Sequence, residues 1–142
     1  MELLVNIDVN DLPEAIRFYE QALGLRLGRL LFEGSVAELL GAVAPVYLLA
    51  KADGTACCPG QRRDYRRHWT PVHLDFVVED LDAAVHRALE AGARLEGEVL
   101  SQPYGRLATF ADPFGHGFCL IEWKGEGYAE VAESDRLAQE ET

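Results

Sequence analysis

Apolar and polar residues alternate in two similar stretches of the chain. The apolar positions are Val5, Ile7 and Val9 in the first stretch and Leu74, Phe76 and Val78 in the second. A period of two residues predicts a β-strand with one apolar face. The residues between them, such as Asn6, Asp8 and Asp75, are then predicted to face the opposite way. Each strand must pack its apolar face against another element.

A helix is predicted directly after each of these strands. Asp11 and Asp80 precede segments with apolar residues at helical spacing, and an aspartate in that place caps the free N–H groups of a helix. Gly24 and Gly92 follow the two segments, where a left-handed residue ends many helices. The two strand–helix segments therefore form an internal repeat.

Three further strand-like runs follow each helix. They span Arg26–Phe32, Val36–Leu40 and Val46–Leu49 in the first half, and Arg94–Leu100, Arg106–Ala111 and Phe118–Trp123 in the second. Each half thus reads βαβββ. We predict an α+β fold in which two tandem βαβββ modules set curved mixed sheets around a shared cavity, with the helices on the outer faces.

The boundaries of the domain and of its two modules follow from this repeat. We predict one domain over residues 1–124, with module one at about 1–54, a connecting loop at about 55–70 and module two at about 71–124. Residues 125–142 form an acidic tail with few large apolar side chains. The tail is predicted to be frayed or peripheral, and a short helix from about 129 to 139 is the alternative.

Charge and composition limit the classes of partner that the chain is expected to bind. The chain has 142 residues with 24 acidic and 13 basic ones, for a net charge of -11. This balance disfavours binding to nucleic acid or to anionic membranes and favours small molecules or proteins as partners. A small organic ligand is the predicted partner. No apolar run is long enough to span a bilayer, and the N-terminus has no basic lead, so a cytoplasmic location is expected. Three cysteines do not make a disulfide framework.

Three stretches carry a resemblance to a known superfamily. They are VNDLPEAIRFYEQALGL, HLDFVVEDLDAAVHRALEAGA and PYGRLATFADPFGHGFCLIEW. Together with the paired βαβββ layout, they resemble the vicinal oxygen chelate superfamily of glyoxalases, bleomycin-resistance proteins and extradiol dioxygenases. The third stretch is the most specific, since it matches the closing pattern of an Asp-Pro turn followed by a final strand.

The resemblance also implies where a metal ion would be bound. Metal-dependent members use four positions, on the first and last strands of each module. By position these are Leu4, Tyr47, His73 and Cys119. Leucine and tyrosine do not suit a divalent ion, so no metal cofactor is expected. The alternative is a divalent-metal-dependent lyase or dioxygenase with displaced ligands, in which His73 and Cys119 join Asp8 or Asp75.

The candidate catalytic residues are His73 and Asp75. His73 is the proposed base or hydrogen-bond donor, and Asp75, two residues on along the same strand face, orients it. An ordinary solvated histidine at the start of a strand is the alternative interpretation. The candidate substrate-binding residues are those predicted to line the cavity or its entrance: Asn6, Asp8, Tyr47, Trp69, Arg106, Cys119, Ile121 and Trp123.

Three functions follow from these residues and the resemblance. The first is a metal-independent glyoxalase-like enzyme that uses His73. The second is a protein that sequesters a small hydrophobic compound, as bleomycin-resistance proteins do, and the third is the metal-dependent alternative. The sequence leaves catalysis and simple binding open. The resemblance alone also implies a homodimer.

Overall fold

The computed structural model describes residues 1–133, so the end of the acidic tail lies outside the described residues. Module one contains β1 (Val5–Val9), α1 (Leu12–Leu23), β2 (Arg26–Leu31), β3 (Val36–Leu40) and β4 (Val46–Ala50). Its four strands form one sheet in the order β1-β4-β3-β2, with β1 parallel to β4. β1 is therefore an edge strand.

The connecting segment carries a small hairpin of its own, made of β5 (Ala56–Cys58) and β6 (Gln61–Arg62). The sequence predicted only a loop here. Pro59 and Gly60 make the turn, and the φ of Gly60 is 78°, which glycine adopts without strain. The hairpin thus follows from turn chemistry at the centre of the connection.

Module two repeats the layout of module one. It contains β7 (Leu74–Val77), α2 (Leu81–Ala91), β8 (Arg94–Leu95), β9 (Leu100–Gln102), β10 (Gly105–Ala111) and β11 (Gly117–Trp123). The sheet order is β7-β11-β10-β8, with β9 also paired to β10. The predicted strand from 94 to 100 is therefore split in two, because Gly97 with a φ of 83° interrupts it. A 3₁₀ helix, Gly127–Val131, follows β11.

Both helices begin and end at the predicted residues. The Asp11 carboxylate accepts a hydrogen bond from the Glu14 N–H at 3.2 Å, and the Asp80 carboxylate accepts one from the Ala83 N–H at 3.1 Å. Gly24 and Gly92 end the helices in the left-handed conformation. The α+β prediction with two βαβββ modules is confirmed.

One hydrophobic core serves both modules. The helices pack on their own sheets and against each other, and residues of both modules form a single buried cluster. Phe18 of α1 is fully buried and makes edge-to-face contacts with Phe114 and Phe118 of module two. We call the sheet surface turned away from the helices the open face of each module. No helix within residues 1–133 is long and apolar enough to cross a membrane.

Candidate functional site

A cleft separates the two edge strands β1 and β7, which belong to different sheets. Its volume is about 660 Å³, in the range of small-molecule sites. It is lined by Leu3, Leu4, Val5, Asn6, Ile7, Asp8, Tyr19, Thr70, Val72, His73, Leu74, Phe76, His116, Gly117 and Phe118. Most of these side chains are apolar, so the cleft favours a ligand with an apolar body.

The apolar walls come from strand alternation. Val5 and Ile7 on one edge, and Phe76 on the other, pack against the shared core and show one side to the cleft. Phe118 closes the floor, since it is buried and stacks with Phe110 at a centroid distance of 5.4 Å. The floor of the cleft is thus part of the shared core.

His73 lies at the rim of the cleft and pairs with Asp75. The distance from His73 Nδ1 to Asp75 Oδ1 is 2.9 Å, and the histidine side chain is 56% exposed. An ionised carboxylate only accepts hydrogen bonds, so Nδ1 carries the proton. In the neutral ring Nε2 is then unprotonated, which is the state of a general base. Nε2 makes no hydrogen bond within residues 1–133.

Cys119 lies beside this pair, opposite Asp75 in the parallel pairing of β7 and β11. The thiol is buried, and burial raises its pKa, while the hydroxyl of Thr109 at 3.6 Å acts in the opposite direction. Potential ligand atoms of His73, Asp75 and Cys119 lie within 4.8 Å of one another. These three residues are the candidate metal ligands among the described residues.

The four metal positions implied by the resemblance do not assemble a ligand set. Leu4 lines the cleft but has no donor atom. The hydroxyl of Tyr47 donates to Glu38 at 3.2 Å on the open face of module one. Burial raises the pKa of the Cys119 thiol, which disfavours the thiolate that binds metal, and the His73 ring already donates to Asp75. Because a catalytic zinc or iron site needs three good protein ligands, these residues do not fit the superfamily's metal.

Asp8 is held from two sides. Its carboxylate accepts a hydrogen bond from Arg63 Nε at 2.8 Å, and its carbonyl oxygen accepts one from His116 Nε2 at 2.7 Å. Arg63 lies in the connecting segment and His116 in the turn before β11. Asp8 therefore ties three parts of the chain together at the cleft, and its negative charge is compensated. Asn6, two residues earlier, lines the cleft and is exposed.

The remaining predicted residues of β4 and β11 lie on the open faces. Tyr47 alternates with the core residues Val46 and Leu48, and it contacts Glu38 beside Arg29. Ile121 is on the same side as Cys119 and is buried. Trp123 is also on this face, at its far end, where Tyr128 packs against it with ring centroids 4.7 Å apart. The 3₁₀ helix after β11 thus covers that end.

The structure does not bring Arg106 or Trp69 into the cleft. Arg106 is on the same strand face as the core residues Ala108 and Phe110, so it lies on the helix side of the sheet. There it pairs with Asp82 at 2.7 Å and with Glu122 at 3.3 Å, instead of standing at the cavity mouth. Trp69 is 80% exposed, and it is the neighbouring Thr70 and Val72 that line the cleft.

Sequence reasoning missed the residues that reach the cleft from other elements. Tyr19 from α1 and His116 from a turn line the cleft, and Arg63 from the connecting segment binds the lining residue Asp8. The Asp-Pro turn that contains His116 was recognisable in the sequence, but its contact with Asp8 was not. Such contacts depend on how the modules pack, for which the strand pattern carries no signal.

A family model described as a glyoxalase-like domain matches residues 4–121. The anthracycline biosynthesis protein DnrV of Streptomyces peucetius is 43% identical over 67 residues, which is 47% of this chain and 23% of DnrV. The chain thus spans less than a quarter of that relative. Protein Rv0887c of Mycobacterium tuberculosis is 33% identical over 118 residues, covering 79% of this chain and 68% of Rv0887c.

Solved structures of glyoxalase-family and fosfomycin resistance proteins have a similar fold. A glyoxalase family protein from Bacillus cereus is 27% identical with a TM-score of 0.68, covering 88% of this chain and 94% of that one. The fosfomycin resistance protein FosX of Listeria monocytogenes has a TM-score of 0.70 at 18% identity, with coverage of 93% and 98%. At that identity the likeness shows the fold alone.

Proposed function

The chain belongs to the glyoxalase-like family within the vicinal oxygen chelate superfamily, and on this premise we propose that it binds a small organic molecule in the cleft between β1 and β7 without a metal ion. His73, oriented by Asp75, is the proposed base that takes a proton from the bound molecule. The observation that carries the proposal is the 2.9 Å hydrogen bond between these two residues at the rim of an apolar cleft.

The lining supports a neutral or cationic ligand with an aromatic or apolar body. Within residues 1–133 no lysine or arginine lines the cleft, and the nearby Arg63 is paired with Asp8. An anionic ligand would therefore meet no unpaired cation there, in a protein whose net charge is -11. Leu4, Leu74 and Phe76 provide the surface on which a ring system would pack.

A sequestration protein is the second candidate. The cations near the site are engaged in ion pairs, Arg63 with Asp8 and Arg67 with Glu96. Neither is free to stabilise negative charge that develops on a reacting substrate, a contribution on which many enzymes depend. The name of DnrV, an anthracycline biosynthesis protein, agrees with a polycyclic aromatic ligand for either candidate.

A test of binding uses an anthracycline as the probe and its fluorescence as the readout. Leu74→Ala removes cleft surface, and we expect it to weaken binding about tenfold. Val77→Ala is the matched control on the same strand, because Val77 is exposed and does not line the cleft. Equal loss in both variants, or no loss in Leu74→Ala, would contradict the assignment of the cleft.

His73→Ala and Asp75→Asn separate the two candidates. If the protein is an enzyme, both variants lose turnover of the bound compound, by about 100-fold or more for His73→Ala. If it only sequesters its ligand, both variants retain the affinity of the unchanged protein.

Metal analysis of the purified protein is a separate measurement. A stoichiometric divalent ion that is lost in His73→Ala would overturn the metal-independent proposal. Homodimer formation and a cytoplasmic location stay predictions.

A further inference from the structure

We propose that the cleft recognises the backbone of a capped apolar amino-acid residue, which adds to the free edge of β1 like a short extra strand. By a capped residue we mean one with an amide on each side, so that it carries no charged terminus. This inference rests on the proposed function, since it names the chemical class of the ligand in the same cleft. Both β1 and β7 are edge strands there, and a free edge accepts an extended chain through main-chain hydrogen bonds.

The register of β1 decides which of its main-chain groups face the cleft. β1 is parallel to β4, and in such a pair every second residue of a strand directs both its N–H and its C=O to the partner. The Val5 N–H donates to the Pro45 carbonyl at 3.2 Å. Val5 and every second residue after it therefore bond to β4, whereas Asn6 and Asp8 turn their main-chain groups to the other side.

One of these outward groups already has a partner from module two. The Asp8 carbonyl accepts a hydrogen bond from His116 Nε2 at 2.7 Å, and His116 also lines the cleft. The Asp8 N–H and the Asn6 carbonyl are on the same side and have no partner among the described residues. The edge thus offers a ligand one acceptor, on Asn6, and one donor, on Asp8.

A single capped residue matches this pair of groups. If the ligand residue lies opposite Ile7, then in either strand direction one amide N–H reaches the Asn6 carbonyl and one carbonyl oxygen reaches the Asp8 N–H. Its side chain points to the same side as Ile7, which packs on the shared core and lines the cleft. An aromatic or branched apolar side chain is therefore favoured.

β7 presents a second free edge to the same ligand. The Val78 N–H, just after β7, donates to the Ile121 carbonyl at 2.8 Å, so the main-chain groups of Asp75 and Val77 point away from β11. The amide groups of the ligand that do not face β1 face this edge. A ligand without amides would displace water from both edges and leave their polar groups unpaired, which disfavours it.

The test uses N-acetyl-L-phenylalanine methylamide as the probe. It is titrated into the ¹⁵N-labelled full chain, and the backbone amides are followed by NMR. We expect the Asp8 amide proton to move downfield to saturation, because it gains an acceptor. The Ile7 amide already donates within the sheet, so it serves as the internal control and should move much less.

Two related probes separate backbone recognition from simple apolar binding. N-acetyl-D-phenylalanine methylamide has the same composition but directs its side chain to the opposite face, and it should bind about fivefold or more weakly. The L probe with both amide nitrogens methylated has no N–H for the Asn6 carbonyl, and it should bind about tenfold more weakly. Equal affinity of the L and D probes, or an Asp8 amide that does not shift at saturation, would overturn the proposal.

Two substitutions at Asp8 test the donor directly. Asp8→Pro removes the N–H, and proline is tolerated on an edge strand where that N–H faces away from the sheet. Asp8→Ala keeps the N–H and removes only the carboxylate that pairs with Arg63, so it is the matched control. We expect Asp8→Pro to bind the L probe about tenfold more weakly than Asp8→Ala. Equal affinity in the two folded variants would contradict the proposal, and the D probe decides the case if Asp8→Pro does not fold.

The anthracycline probe distinguishes this proposal from the function on which it rests. If the anthracycline binds and Leu74→Ala weakens it, while the L probe does not bind, the cleft is the ligand site and backbone recognition is wrong. If neither compound binds, both proposals are contradicted. Binding of the L probe with a shifted Asp8 amide supports both.

Discussion

Tyr19 and Asp112 connect the two modules through a buried hydrogen bond. The Tyr19 hydroxyl donates to Asp112 Oδ2 at 2.5 Å, and the other carboxylate oxygen accepts from the N–H groups of Phe114 and His116. Burial raises the pKa of Tyr19 well above its usual value, and the charge of Asp112 raises it further. The Asp-Pro turn of the sequence thus has a structural role beside the cleft.

We expect Tyr19→Phe to lower the free energy of unfolding at pH 7 by about 1 to 2 kcal/mol, because Asp112 loses one of its three donors. The effect should depend on pH. A tyrosine whose folded pKa is raised binds its proton more tightly in the folded state, so its contribution is complete below pH 10, the usual tyrosine pKa, and is lost as pH rises above it.

Denaturant unfolding of both proteins at pH 7, 9 and 10.5 measures this effect. The difference in free energy of unfolding between the unchanged protein and Tyr19→Phe should be constant up to about pH 9. Above pH 10 this difference should shrink by at most about 1.4 kcal/mol per pH unit. Other tyrosines, such as Tyr65, are present in both proteins and cancel in the comparison. A difference that grows above pH 10 would contradict the raised pKa of Tyr19.

The sequence predicted the local part of the site and missed the rest. His73 and Asp75 are two residues apart on one strand, so alternation alone places them together, as the 2.9 Å contact shows. Arg63 reaches Asp8 across 55 positions of the chain, and Tyr19 reaches Asp112 across 93. Such pairings are fixed by tertiary packing, which a strand or helix period does not encode.

The secondary-structure elements follow their end signals. Both helices begin at a capping aspartate and end at a left-handed glycine, as the repeat predicts. The two departures also have visible causes. Gly97 splits the predicted 94–100 strand, and Pro59-Gly60 turns the connecting segment into a hairpin. The apolar pattern therefore predicts the long elements, and glycine positions decide the short ones.

At the level of elements, Asp80→Ala should remove the cap of α2. The Ala83 N–H then loses its partner, and we expect the free energy of unfolding to fall by about 1 kcal/mol. Asp80→Ser retains a capping oxygen and should recover most of that loss.

Glu79→Ala, one residue earlier and exposed, is the control and should change the free energy of unfolding by less than about 0.5 kcal/mol. Equal losses in Asp80→Ala and Asp80→Ser would argue against capping. Urea denaturation followed by circular dichroism provides the measurement.

For the molecule as a whole, the two sheets are joined by helices and side chains. Within residues 1–133 no strand of module one is hydrogen-bonded to a strand of module two. The cleft exists because the edge strands β1 and β7 stay apart, while α1 and α2 pack together behind it. The ligand site therefore depends on the shared core, and the modules are expected to fold as one cooperative unit.

Phe18→Ala tests this cooperativity, because Phe18 is fully buried in α1 and contacts Phe114 and Phe118 of module two. We expect a loss of about 3 to 5 kcal/mol in the free energy of unfolding. Native-state hydrogen exchange should show the same loss of protection in β4 of module one and in β11 of module two. Phe32→Ala, at a side chain 78% exposed, is the control and should leave both sheets within about 0.5 kcal/mol of their original protection. Unchanged protection of β11 in Phe18→Ala would mean that module two is stable without its partner, and that the cleft is a joint between two independently folding units.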